Sequence, residues 1–178
     1  MMPLAGCATT GGDGGAAAAA TSTPPFCTIV AADTSDFSYL SCPRCELALP
    51  NGAASCFACA GSGGVQPAPA RVYRLLLSLA THDRVFPVVL FDRAARTLMG
   101  CPADELARLF AAHPDSARAA AAEALCGEMC RVVLRAPTRN NKRSAGAADE
   151  RQRVVSVVPL RDGFRPVVDA LRMLYPRG

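Results

Sequence analysis

Four of the chain's nine cysteines fall in one short stretch, as two C-x-x-C pairs ten residues apart: Cys42 with Cys45, and Cys56 with Cys59. Thiolates hold zinc in a tetrahedron at about 2.3 Å, and each C-x-x-C turn aims both of its sulfurs at one point. Pro43 stiffens the first turn. Asn51-Gly52, midway between the pairs, is a tight-turn signal and is expected to fold the segment into a hairpin that brings the pairs together. The expectation is a zinc ribbon over about residues 37–64, with Cys42, Cys45, Cys56 and Cys59 as ligands. Four sulfurs leave no open coordination position, so the zinc is structural and not catalytic. The alternative, a disulfide framework, needs an oxidising compartment. The first 25 residues carry neither base nor apolar run, so they do not read as a secretory signal.

Little else in the sequence suits catalysis. His82 and His113 stand alone, and no nucleophile–base pair or phosphate-binding loop is evident; "GSGG" at 61–64 reads as a linker after the ribbon. Cys126 and Cys130 are expected to be small buried apolar residues. The protein is therefore expected not to be an enzyme. Its charge is more informative. Residues 1–40 carry three acids and no base, whereas residues 131–161 hold Arg131, Arg135, Arg139, Lys142, Arg143, Arg151, Arg153 and Arg161 against Asp149 and Glu150, a local +6. Such a patch suits an anionic partner, most simply nucleic acid, although a solvated basic surface gives the same signal. No stretch approaches the roughly 20 apolar residues of a membrane span.

The elements that must position these residues follow from periodicity. Residues 26–33, 72–82, 85–91, 130–136 and 151–160 read as strands, with Pro87 marking an irregular or edge position. Phe91 is expected in the core. A short helix ends at Gly100; a second begins at Pro102–Asp104 with Leu106, Leu109 and Phe110 on one face; a third begins near Asp115-Ser116. Residues 163–175 read as an amphipathic closing helix with Phe164, Val167, Val168, Leu171, Leu174 and Tyr175 on one side. Residues 1–25 read as a disordered Gly/Ala-rich leader and 26–178 as one domain. Five strands with helices between the third and fourth predict a mainly β protein with helices: a five-stranded OB-fold barrel, with the ribbon inserted after its first strand.

The layout and several local motifs resemble the C-terminal DNA-binding domain of the replication protein A large subunit. "FSYLSCPRC" is similar to that family's approach to its ribbon. "YRLLLSLATHDRVFPVVLFDRAARTLMGCPADEL" is similar to its second and third strands and the helix start that follows. "DERQRVVSVVPLRD" is similar to its final strand. The resemblance implies single-stranded DNA binding in replication, recombination or repair, in the nucleus. It also implies a closing helix that bundles with two smaller subunits of the same complex. OB folds bind strands in a basic groove with aromatic rings stacked on bases. The candidates here are Arg74, Arg84, Arg139, Lys142, Arg143, Arg151 and Arg153 for phosphates, and Tyr39, Phe57 and Phe86 for bases. The other reading is an assembly module that acts through residues 163–175 with little DNA affinity of its own.

Overall fold

The computed structural model describes residues 26–60, 67–135 and 151–176. Strands β1 (Cys27–Asp33), β4 (Ala70–Ala80), β5 (Val85–Phe91), β6 (Met129–Arg135) and β7 (Gln152–Pro159) form a closed ring of five. β1 pairs with β4 on one side and β6 on the other; β4 pairs with β5, and β6 with β7. The ring closes through β5 and β7, which run parallel, Val88 opposite Gln152 and Leu90 opposite Val154. The expected five strands are thus all present, one with the expected bounds and four shifted by one or two residues. Pro87 sits one residue before the β5–β7 ladder begins, so its missing N–H deprives β7 of nothing.

Alternation along β4, β5 and β6 builds much of the inside of the ring. In β4, Tyr73, Leu75, Leu77 and Leu79 are buried; in β6, Cys130, Val132 and Leu134; in β5, Val88 and Leu90. Helices α1 (Asp92–Met99), α2 (Ala103–Ala112) and α3 (Pro114–Leu125) connect β5 to β6 and supply Leu98, Leu106, Phe110 and Leu125 to the same core. Gly100 ends α1 in the left-handed conformation at φ 74°, and a Cβ there would lie 2.3 Å from Pro166 Cβ, so both the turn and the close approach require glycine. Tyr73 donates its hydroxyl to Cys101 O at 3.1 Å, which anchors β4 under the α1–α2 turn.

Two expectations need correction. The closing helix, α4, spans Val167–Leu174, not 163–175, because Pro166 starts it and Gly163 at φ 71° belongs to the preceding turn. Its stripe is also not free for a partner along its length. Val167, Val168 and Leu171 are buried in the protein's own core, and Phe164 and Tyr175 pack against it. Tyr175 stacks on His113 at 4.3 Å and Arg172 reaches Glu105 at 2.6 Å, so α4 is clamped onto α2 and α3. Only Met173 and Leu174 on this helix remain as large exposed apolar residues.

The cysteine-rich segment extends the sheet. β2 (Ser38–Ser41) pairs with the first part of β4, Tyr39 opposite Val72, and β3 (Ala48–Leu49) pairs with β2. The hairpin therefore closes around the first cysteine pair. The Asn51-Gly52 turn exists, with Ala53 N–H donating to Pro50 O at 3.1 Å, but it leads from β3 to the second pair and joins no two strands. No helix among the described residues is long and apolar enough to cross a membrane.

Candidate functional site

The sulfurs of Cys42, Cys45, Cys56 and Cys59 all lie within 4.8 Å of one another. Cys42 and Cys59 are 3.9 Å apart, Cys45 and Cys56 3.6 Å. The edge of a tetrahedron with bonds of about 2.3 Å is about 3.8 Å, so the cage has the size of a zinc tetrathiolate, and the spacing is far beyond a disulfide of about 2 Å. Cys42, Cys56 and Cys59 are buried with Leu49 in a small cluster of their own, separate from the main core. Glu46 takes the left-handed conformation at φ 58°, and its N–H donates to Cys42 O at 2.8 Å, which curls the first knuckle. Backbone N–H groups of Cys45 and then Arg44 pull the Cys42 thiol down to about 7, while donation of the Cys59 thiol proton to the Cys45 sulfur and then burial push Cys59 up to about 12. Four thiolates this close repel, so a cation at their centre is what lets all of them ionise. The donor set fits a metal ion bound by four thiolates.

Beside this cage lies a groove of about 750 Å³. One wall is the ribbon, from Tyr39 to Pro43. The floor is the outer face of the ring, with Val72, Phe91, Val155 and Arg153. Arg93 from the first turn of α1 and Arg135 from the end of β6 complete it. The Arg153 guanidinium lies 4.6 Å from the centre of the Phe91 ring. A second depression, of about 670 Å³ between α2 and the end of α4, is lined by Glu105, Arg108 and Arg172; there the Arg172 charge is already taken by Glu105, and among the described residues no aromatic–arginine pair lies in it.

The candidate residues distribute unevenly. Tyr39 and Arg153 line the groove. Arg74 is the register partner of Phe91 but does not line the groove, and its guanidinium is 3.4 Å from the Asp36 carboxylate. Arg151 is exposed, and its charge helps hold Asp33 below the usual carboxylate range, after the stronger hydrogen bonds from Ser35. Phe57 is 73% exposed on the ribbon and does not line the groove. Arg139, Lys142 and Arg143 lie outside the described residues. The two strand-β5 aromatics exchange roles. Phe86 shares the face of Val88 and Leu90 and packs against the core, capped by Arg84 at 5.0 Å. Phe91, expected in the core, is half-buried on the opposite face and lines the groove. The signal was available: successive strand residues alternate faces, so 86, 88 and 90 go together and 91 does not. Arg93 and Arg135 were also missed as groove residues. Of the C-x3-C pair, Cys130 is buried as expected, whereas Cys126 is exposed.

No protein-family model matches the sequence, and no curated protein matches it significantly. Solved structures do. One is a chain of a replication protein A heterotrimer bound to single-stranded DNA: 19% identity, TM-score 0.55, covering 76% of this protein and 31% of that chain. Another is from yeast replication protein A bound to single-stranded DNA: 20% identity, TM-score 0.57, covering 84% of this protein and 83% of that chain. The protein thus spans about a third of the first chain's length and most of the second's. At this identity the likeness is one of fold, and it agrees with the strand order of the ring, which is that of an OB-fold.

Proposed function

We propose that the protein is a single-stranded DNA-binding module of replication protein A type, built on an OB barrel and acting in DNA replication, recombination or repair in the nucleus. The observation that carries this reading is the groove between ribbon and ring, where two aromatic rings and three arginines meet on the face that OB folds use for oligonucleotides. Tyr39 and Phe91 would stack on bases. Arg93, Arg135 and Arg153 would take phosphates, joined by Arg139, Lys142, Arg143 and Arg151 from the residues around 136–151. Arg74 and Arg84 flank the same strands, and Phe57 extends the reach of the ribbon. Cys42, Cys45, Cys56 and Cys59 would hold one zinc ion, whose role is to fix the wall that carries Tyr39. The test is fluorescence-anisotropy titration with labelled oligo-dT across salt concentrations. Binding that weakens linearly in log–log form as salt rises is expected. A flat, salt-independent baseline would overturn the reading.

A second reading is favoured by one observation. Met173 and Leu174, 62% and 61% exposed at the end of α4, leave an apolar tip that can join a bundle with the smaller subunits of a replication protein A-type complex. Met173→Asp with Leu174→Asp should abolish co-purification with such subunits and leave the circular dichroism spectrum unchanged. Undiminished co-purification removes this reading.

A further inference from the structure

We infer that Arg135 and Arg153 form a phosphate clamp whose mutual repulsion is relieved only when an anion, in function a phosphodiester of the bound strand, lies between them. The inference rests on the nucleic-acid reading and names the atoms that seat the backbone.

Arg135 and Arg153 are direct register partners across the antiparallel β6–β7 pair, and both are exposed on the outer face. Opposed side chains in that arrangement have Cβ atoms about 4.5–5.5 Å apart, and like charges placed so destabilise a sheet. A protein commonly relieves such a pair with a carboxylate. Among the described residues no carboxylate lies within 4.0 Å of Arg135, Arg153 or the neighbouring Arg93. The ion pairs formed elsewhere use Arg71, Arg74, Arg96, Arg161 and Arg172. Two acids do line the groove, Glu46 and Asp92. Asp92 is committed: it holds Arg96 at 2.8 Å and accepts the backbone N–H of Tyr73 at 3.3 Å. Among the described residues, then, no carboxylate contacts the three guanidinium groups that line the groove.

Arg153 is also held in place. Its guanidinium lies over the Phe91 ring, which fixes one arm of the clamp against the surface that would carry a base. Guanidinium forks match phosphate oxygens bidentately, and two forks facing one another across a strand pair suit a single shared anion. Arg93, on the first turn of α1, closes the third side. A phosphate held there leaves its base beside Phe91 and Tyr39.

The clamp makes two linked demands that an ordinary basic surface does not. Arg135→Gln should raise the melting temperature of the ligand-free protein, by about 1–3 °C for a chain of this size, because it removes a like-charge pair. The same variant should weaken oligo-dT binding about tenfold at low salt and lower the log–log salt slope by about 0.7. Pyrophosphate, as a short anionic probe, should raise the melting temperature of the wild type more than that of Arg135→Gln. Arg131→Gln, on the same strand but outside the groove, is the control and should change neither the melting temperature nor the slope. If oligo-dT binds the wild type but Arg135→Gln behaves like Arg131→Gln in all three measurements, the clamp is wrong and the nucleic-acid reading stands. If the wild type binds no oligo-dT yet Arg135→Gln is stabilised and pyrophosphate discriminates, the anion site stands and its ligand is a free phosphate and not a strand.

Discussion

Phe91 and Phe86 occupy the same strand, five residues apart, and the structure gives them opposite duties. Phe86 packs on the core and Phe91 lines the groove, so the two should separate in mutagenesis. Phe91→Ala is expected to weaken oligo-dT binding by about 1–3 kcal/mol, the usual contribution of one base–ring stack, with little change in urea stability. Phe86→Ala is expected to do the reverse, lowering urea stability by up to about 3 kcal/mol while leaving the salt slope intact. Both are read from one denaturation series and one titration series; a binding loss confined to Phe86→Ala contradicts the assignment. Asp36 is the other informative residue. Its carboxylate neutralises Arg74, the register partner of Phe91, at the edge of the groove. Asp36→Asn should free that guanidinium and tighten oligo-dT binding at low salt by up to about fivefold, because an exposed ion pair of this kind contributes about 0.2–1 kcal/mol. The gain should fade as salt screens the charges. An unchanged or weaker affinity at low salt would show that Arg74 lies off the path of the strand.

At the scale of elements, α4 decides how the helical layer is held. It packs on α3 and α1, and its contact with the α1–α2 turn is so close that Gly100 admits no side chain. Gly100→Ala therefore combines an unfavourable left-handed φ with a clash against Pro166. It should destabilise the protein by about 1–3 kcal/mol in urea denaturation. A neutral result would mean that α4 is not docked where Pro166 places it. Leu171→Asp should unfold the domain outright, because Leu171 is fully buried, whereas Met173→Asp should not. The ribbon behaves differently from α4. Its sulfur cluster shares no buried residue with the main core, so the two can come apart.

For the molecule as a whole, that separation predicts a protein in two stability layers. Cys56→Ser leaves three of the four candidate thiolate ligands and should lower metal content, measured by elemental analysis on protein prepared without chelator. Structural zinc sites are held by roughly 10–16 kcal/mol of apparent binding energy, most of which folds the ribbon. Circular dichroism should show the ring's strand signal largely retained and amide exchange should accelerate over residues 38–60, while the core strands stay protected. Global loss of protection in Cys56→Ser would mean that ring and ribbon fold as one unit. Absence of zinc from wild-type protein prepared under reducing conditions would remove the metal assignment itself.

Much of this is legible in the sequence. The four metal-ligand candidates were readable because C-x-x-C is a local geometry, fixed by the backbone of four residues. The five strands were readable because apolar runs and alternation are local too, and the glycine that stops α1 is a local necessity of helix ends. Phe91 lay within reach of the same alternation, applied one residue further. Other features depend on distance in space between residues far apart in the chain. Arg135 and Arg153 oppose each other only because β6 and β7 pair in one register, with an irregularity between Val133 and Leu134 that no local pattern announces. Asp36 meets Arg74, and Glu105 meets Arg172, through contacts across 38 and 67 positions of sequence. The apolar stripe of α4 was evident from its period, but a stripe states only that something covers it; α1 and α3 of the same chain proved to be the cover. Pairing across a ring and docking between helices are set by the sum of burial over the whole molecule, and that sum exists only in the folded chain.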